Sequence, residues 1–172
     1  MTHNTRPRIV RDQTLPPDTP HVPVVIVGSG ACGLTSAIRL RDAGIDCVLL
    51  ERDAVPSGST ALSSGFIPAA GTRVQKSLGI EDSQALFAQD VTDKTHGQAA
   101  PHLVQAYTRA VAQAIDALEA HGITFEVLEG FLYPGHHAPR MHAVPERTGA
   151  ALMAALERTA SAVGPIPRVP KG

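Results

Sequence analysis

A run of glycines between a strand-like and a helix-like pattern constrains this chain most. Val22–Val27 is β-branched and apolar apart from Pro23, and Gly28-Ser29-Gly30-Ala31-Cys32-Gly33 follows at once. Leu34, Ala37, Ile38 and Arg41 then fall at helical spacing up to a stop at Gly44, and Asp46–Leu50 returns to a short apolar strand ending at Glu51. An apolar run of this length bounded by glycine predicts a strand buried on both faces, as in parallel sheets. Strand, turn, helix and strand together predict a βαβ unit, and so an α/β fold.

Residues 1–21 hold Pro7, Pro16, Pro17 and Pro20 among polar residues and are expected to be an extended or mobile lead segment outside the fold. Arg52–Thr72 is rich in Ser, Gly, Pro and Thr without hydrophobic period, which predicts a long loop. Asp82 or Ser83 can cap a helix carrying Leu86, Phe87 and Val91, and Pro101 suits the first turn of a longer one. That second helix is expected to bury Leu103, Tyr107, Val111, Ile115 and Leu118 and to close at His121-Gly122. Ile123–Leu128 reads as a strand, and Thr148 opens a helix through Leu152, Leu156 and Thr159. Pro165, Pro167 and Pro170 predict an irregular tail over 161–172, leaving 22–160 as the folded domain.

Composition removes several function classes. Lys plus Arg is 15 against 16 Asp plus Glu, a net charge of -1, so no global basic field draws nucleic acid or anionic lipid. No apolar run is long enough to span a bilayer, and no apolar block of signal-peptide type follows Arg6, Arg8 and Arg11; a soluble, cytoplasmic protein is expected. Cys32 and Cys47 form no CxxC pair and read as small buried residues. His136, His137 and His142 lack the Cys or carboxylate companions of a zinc site and are expected on a surface turn, with no metal bound; His142 reads as a structural hydrogen-bonder, with contact to a cofactor or an acid substrate as its functional alternative. Arg140 and Arg147 read as solvated arginines with anion contact as their functional alternative.

The glycine run matches GxGxxG, and its place after a strand and before a helix gives the match its meaning. Gly28 permits the tight turn, Gly30 leaves room for a pyrophosphate, and Gly33 lets helix and strand pack closely. The helix N-terminus offers free N–H donors to phosphate, and Glu51 supplies the acid that accepts from ribose hydroxyls. These features predict a dinucleotide site without separating FAD from NAD.

Longer segments carry a family resemblance. GSGACGLTSA at Gly28–Ala37, LLER at Leu49–Arg52, STALSSG at Ser59–Gly65, AAGT with Gln75, GIEDS at Gly79–Ser83 and PRMHAVPERTG at Pro139–Gly149 resemble the flavoprotein subunits of the fumarate reductase and succinate dehydrogenase family, including the related 3-ketosteroid dehydrogenases. The resemblance implies a Rossmann-like FAD-binding domain, represented by its N-terminal part, with additional helices. It implies FAD with adenine ribose on Glu51, pyrophosphate on Ser29, Gly30, Ala31 and Cys32, and Arg52 beside the adenosine. Ser59, Thr60, Ser63, Ser64 and Gly65 resemble the family loop running past pyrophosphate and flavin. Succinate dehydrogenases attach flavin through a histidine in this loop; residues 53–72 contain none and Ser59 stands near its place, so noncovalent FAD is expected. Phe66 departs from the glycine of many members.

The activity implied is hydride transfer between flavin and a carbon–carbon single or double bond of a small molecule. The family's capping domain and the later segment of its FAD domain have no counterpart here, which leaves the catalytic proton donor unassigned and leaves open a complementing chain or electron donor. Two alternatives remain: a noncatalytic dinucleotide-binding module or half of a split flavoprotein, and an NAD-dependent dehydrogenase.

Overall fold

The computed structural model describes residues 21–55, 58–130, 132–164, 166 and 168–170. Apart from His21, the expected lead segment lies outside them. The glycine run forms the turn between β1 (Val24–Val27) and α1 (Ala31–Asp42), and the chain returns through Gly44, at φ 70°, into β2 (Cys47–Glu51). The strands are parallel, with Val24 opposite Cys47 and Val27 opposite Leu50.

Two short elements follow, α2 (Ser59–Leu62) and β3 (Ile67–Pro68), where a structureless loop was expected. Next come α3 (Arg73–Ser77), α4 (Gln84–Lys94), α5 (Pro101–Ala120), β4 (Glu126–Val127), β5 (Met141–Ala143), α6 (Gly149–Ala162) and β6 (Arg168–Pro170). The polar caps act as predicted: Ser83 Oγ accepts from Leu86 N–H and Thr148 Oγ1 from Ala151 N–H, both at 3.1 Å. Pro101 occupies the first turn of α5.

Among the described residues the strands make two sheets, a parallel one in the order β1-β2-β6 and an antiparallel one in the order β3-β5-β4. The first has the strand–helix–strand build expected of an α/β fold. Its Cys47 and Leu49 pack with Leu34 and Ile38 of α1 and with Leu152 and Leu156 of α6, and the same core runs on to Ile115 and Leu118 of α5.

Several expectations are corrected. β1 is covered on one face: Val24 and Ile26 pack against the core, whereas Val25 and Val27 are 53% and 82% exposed. The cause is that the core residues of α1 and α6 pack on the face that carries Val24 and Ile26, and none of the described core lies on the other. The 161–172 tail is not wholly irregular, because α6 continues to Ala162 and Arg168–Pro170 pairs with Leu49–Glu51. An edge position tolerates proline, which lacks only the donor that an edge can spare. On α5 the N-terminal half of the apolar face is rotated: Val104 and Thr108 are buried, while Leu103 and Tyr107 are exposed. Thr108 can be buried because its hydroxyl donates to Val104 O at 2.9 Å. Cys47 is buried as expected, but Cys32 is exposed.

Close backbone approach explains the glycines that matter. A Cβ on Gly33 would stand 1.9 Å from Gly28 O, so only glycine lets the first turn of α1 lie against the end of β1. A Cβ on Gly149 would stand 1.8 Å from Thr60 O, which seats α2 on the start of α6. Gly33→Ala is expected to lower stability by about 1–3 kcal/mol or more, through forced separation of helix and strand. Urea unfolding should show this as a lower midpoint.

Candidate functional site

The chain leaves β1 through Gly28, whose φ of 94° is a left-handed conformation suited to glycine, while its N–H still bonds Leu50 O at 2.7 Å. Ser29 is then buried beside the end of β2. Its N–H and hydroxyl both donate to Glu51 Oε2, at 2.7 Å and 2.5 Å, and Asp53 N–H donates to Oε1 at 3.0 Å. The Ser29 hydroxyl first, then the Asp53 and Ser29 amides, hold the Glu51 carboxyl down at about 2 against a small burial penalty. Glu51 is therefore an anion at any physiological pH.

Gly30 caps α1 without a side-chain hydrogen bond, and no acid lies in the first turn. The opening amides of a helix have no intrahelical acceptor. Ala31 N–H reaches Thr60 Oγ1 at 3.3 Å, so the tip of α2 stands over the start of α1. Between them lies a cleft of about 320 Å³ lined by Gly28, Ser29, Gly30, Glu51, Arg52 and Thr60, all selected from the sequence. Asp53, Ala61 and Met153 also line it and were missed. Asp53 had a signal, its place two residues after Glu51; Met153 had none, since it comes from α6.

The other selected residues have different places. Ala31, Cys32 and Gly33 belong to the first turn of α1, where Gly33 serves packing. Ser59 and Ser64 are exposed. Ser63 closes α2, donating to Thr60 O at 2.8 Å and accepting from Gly65 N–H at 3.0 Å. Gly65, at φ 69°, passes so near Thr148 O that a Cβ would stand 2.8 Å away. The loop is thus fastened to α6, with Gly149 N–H donating to Ser63 O at 2.8 Å. Arg52 is exposed and pairs with Asp53 at 2.9 Å.

A buried polar network anchors the segment that follows the loop. Thr72 caps α3 and, with Gln75, forms a capping box. His142 Nδ1 faces Arg140 O at 2.9 Å, an acceptor only, so Nδ1 carries the proton and Nε2 accepts from the Thr72 hydroxyl at 2.8 Å. Gln75 Nε2 donates to Asp82 and to Pro139 O, both at 2.9 Å. Arg140, fully buried, joins Asp82 at 3.0 Å and Asp90 at 2.8 Å and lies 4.6 Å from the Phe87 ring centre. Burial opposes ionisation of Asp90, and the His137 amide and imidazole together with Arg140 outweigh it, keeping its carboxyl below the usual value.

The expectation of a surface turn is corrected for His142, which is fully buried on β5, and that of a solvated arginine for Arg140. Arg147 is exposed beside Glu126, at 3.8 Å. Among the described residues no group of three or more His, Cys, Asp or Glu is disposed to hold a metal, and no helix is long and apolar enough to cross a membrane. A larger groove of about 590 Å³ between α6 and residues 121–124 contains none of the residues selected for the dinucleotide.

Fold and cleft define a dinucleotide-binding domain of the parallel α/β class. Residues 23–170 match the family described as FAD binding domain, and the chain belongs to it. It is similar to NADH:fumarate oxidoreductase of Klebsiella pneumoniae (strain 342), 37% identical over 58% of this chain and 11% of the relative. It is also similar to urocanate reductase of Eggerthella lenta, 31% identical over 83% of this chain and 23% of the relative. These are small shares of the relatives' own length. Among solved structures, the open conformation of a flavocytochrome c3 fumarate reductase shares the fold, with TM-score 0.76 and 24% identity over 86% of this chain and 26% of that one. The 3-ketosteroid-Δ4-(5α)-dehydrogenase of Rhodococcus jostii RHA1 gives TM-score 0.68 and 25% identity over 86% of this chain and 37% of that one. The resemblance read from the motifs is borne out.

Burial pushes the His142 imidazole below its ordinary value of 6.5, despite the neighbouring carbonyls. A depressed folded-state value contributes stability that is present above the unfolded value and lost as pH falls. Stability is therefore expected to decline as pH drops below about 6.5. His142→Asn should flatten part of that decline in urea titrations run at several pH values, with the remainder carried by His136, also depressed by burial.

Proposed function

We propose that this chain binds FAD noncovalently in the cleft between α1 and the end of β2, as the FAD-binding part of a flavin-dependent oxidoreductase acting on CH–CH bonds. The observation that carries this reading is the ionised Glu51 across a glycine turn from an uncapped helix N-terminus, one suited to ribose hydroxyls and the other to pyrophosphate. The donor set fits: Gly30 and the first-turn residues Ala31 and Cys32 carry backbone N–H groups with no acid in the first turn, and Thr60, whose Oγ1 accepts from Ala31 N–H, adds a hydroxyl at the same place. Gly30 itself has φ -68°, so its smallness serves ligand approach rather than backbone conformation.

Ser59, Ser63, Ser64 and Gly65 belong to the loop held over this cleft by α6, and we assign them to the path of the flavin half of the cofactor. Arg52, exposed at the rim, is assigned to the adenosine. Noncovalent attachment is supported by the absence of histidine from residues 53–72. Bound FAD would supply the hydride acceptor and donor for chemistry at a carbon–carbon bond. The substrate is a small molecule with an activated double or single carbon–carbon bond, as fumarate and urocanate are for those relatives.

The experiment is an absorbance spectrum of the purified chain after incubation with FAD and removal of the excess, followed by acid precipitation. A retained flavin band released into the supernatant is expected. Glu51→Ala should raise the FAD dissociation constant roughly tenfold to a hundredfold, the range for one or two lost charge-assisted hydrogen bonds. Flavin held in the pellet would overturn noncovalent attachment, and tight NADH uptake without flavin uptake would favour the NAD reading.

A further inference from the structure

Ser29 has two donors, its N–H and its hydroxyl, and both are committed to Glu51 Oε2, at 2.7 Å and 2.5 Å. The residue is fully buried at the turn. A phosphate oxygen only accepts, so Ser29 in this arrangement has nothing left to give it. On the carboxylate, Oε2 has both in-plane lone pairs filled by Ser29, whereas Oε1 takes one short hydrogen bond, from the Asp53 amide at 3.0 Å, with the Arg52 amide a weaker contributor to the carboxylate, and keeps capacity for a ligand donor.

We propose that Ser29 is a positioning residue that acts through Glu51 and not on the pyrophosphate: it fixes the carboxylate at the end of β2 and leaves Oε1 as the oxygen that accepts from the ribose. This rests on the FAD-binding reading above and revises the part expected of Ser29 within it. The division of labour is a physical one. A carboxylate on a flexible stem must surrender rotamer freedom to bind a ligand, and two hydrogen bonds from a buried backbone turn impose that order before the ligand arrives. They also favour the ionised form, which is the stronger acceptor. Phosphate contact is left to the amides of Gly30 and Cys32, where helix amides lack intrahelical acceptors, and to Ala31 only if its N–H gives up Thr60 Oγ1 at 3.3 Å.

The test compares wild type, Ser29→Ala, Glu51→Ala and the double variant in FAD titrations between about pH 4 and 8, followed by flavin fluorescence, with the Glu51 carboxyl titrated by carbon-detected NMR in wild type and Ser29→Ala without FAD. Each single variant is expected to raise the FAD dissociation constant about tenfold or more. The double variant should be no weaker than Glu51→Ala, since Ser29 has then lost its target. Wild-type affinity should be flat with pH, while Ser29→Ala affinity falls as pH drops into the ordinary carboxylate range. The Glu51 midpoint should move from about 2 in wild type toward 4.5 in Ser29→Ala. Multiplying effects in the double variant with a flat Ser29→Ala profile would assign Ser29 to phosphate and overturn the proposal. A wild-type Glu51 midpoint already near 4.5 would overturn it too, without need of any variant. Absence of FAD uptake by wild type would sink the proposed function instead, and the NMR titration would still decide whether Ser29 governs Glu51.

Discussion

Backbone lying directly on backbone is the constraint on which the site depends. At Gly33 the first turn of α1 rests against Gly28 O, and at Gly149 the first turn of α6 rests against Thr60 O, in both places closer than any Cβ permits. The first contact aims the α1 N-terminus at the end of β2, and the second sets α2 above it. Neither contact involves a side chain that could be replaced by another of similar size. The cleft is accordingly framed by rigid elements, with Thr60 touching both frames through its carbonyl on α6 and its hydroxyl on α1.

The parts of this arrangement readable in the sequence are those set by neighbours in the chain. β1, the glycine turn, α1, β2 and the terminal Glu51 follow from a local pattern, as do the caps Ser83 and Thr148 and the proline opening α5. What escaped reading was decided at a distance. Val25 and Val27 look like core because their type is apolar, yet exposure depends on which side of the sheet the helices occupy. Arg140 and His142 look like surface residues because their type is polar. Their burial depends on Asp82, Asp90 and Thr72, which come from other segments and satisfy them there.

That polar network also gives physical content to the motifs behind the family resemblance. PRMHAVPERTG lies far down the chain from the neighbouring AAGT with Gln75 and GIEDS, and Thr72, Gln75, Asp82, Arg140 and His142 from those three segments meet in one hydrogen-bonded cluster. Residues that must satisfy one another inside a core cannot vary singly, since removing one partner strands the other. The motifs of the glycine turn and of Ser59–Gly65 border the cleft, whereas these three fasten α3, the start of α4 and β5 to one another. Sequence inspection ranked both kinds together because each shows only unusual residue types at fixed positions.

The pairing of β6 with β2 sets a folding order. Leu49 meets Arg168 across nearly the whole described chain, whereas β1, α1 and β2 are contiguous. Contacts between distant segments must overcome a loop-closure entropy that local ones avoid, and they slow folding accordingly. The βαβ unit can therefore assemble on the ribosome while β6 is still being made, and during that interval one edge of β2 stands open. The half of the sheet that bears Glu51 is in this sense the older structure in each molecule's own history, and the strand that flanks it arrives as a latecomer.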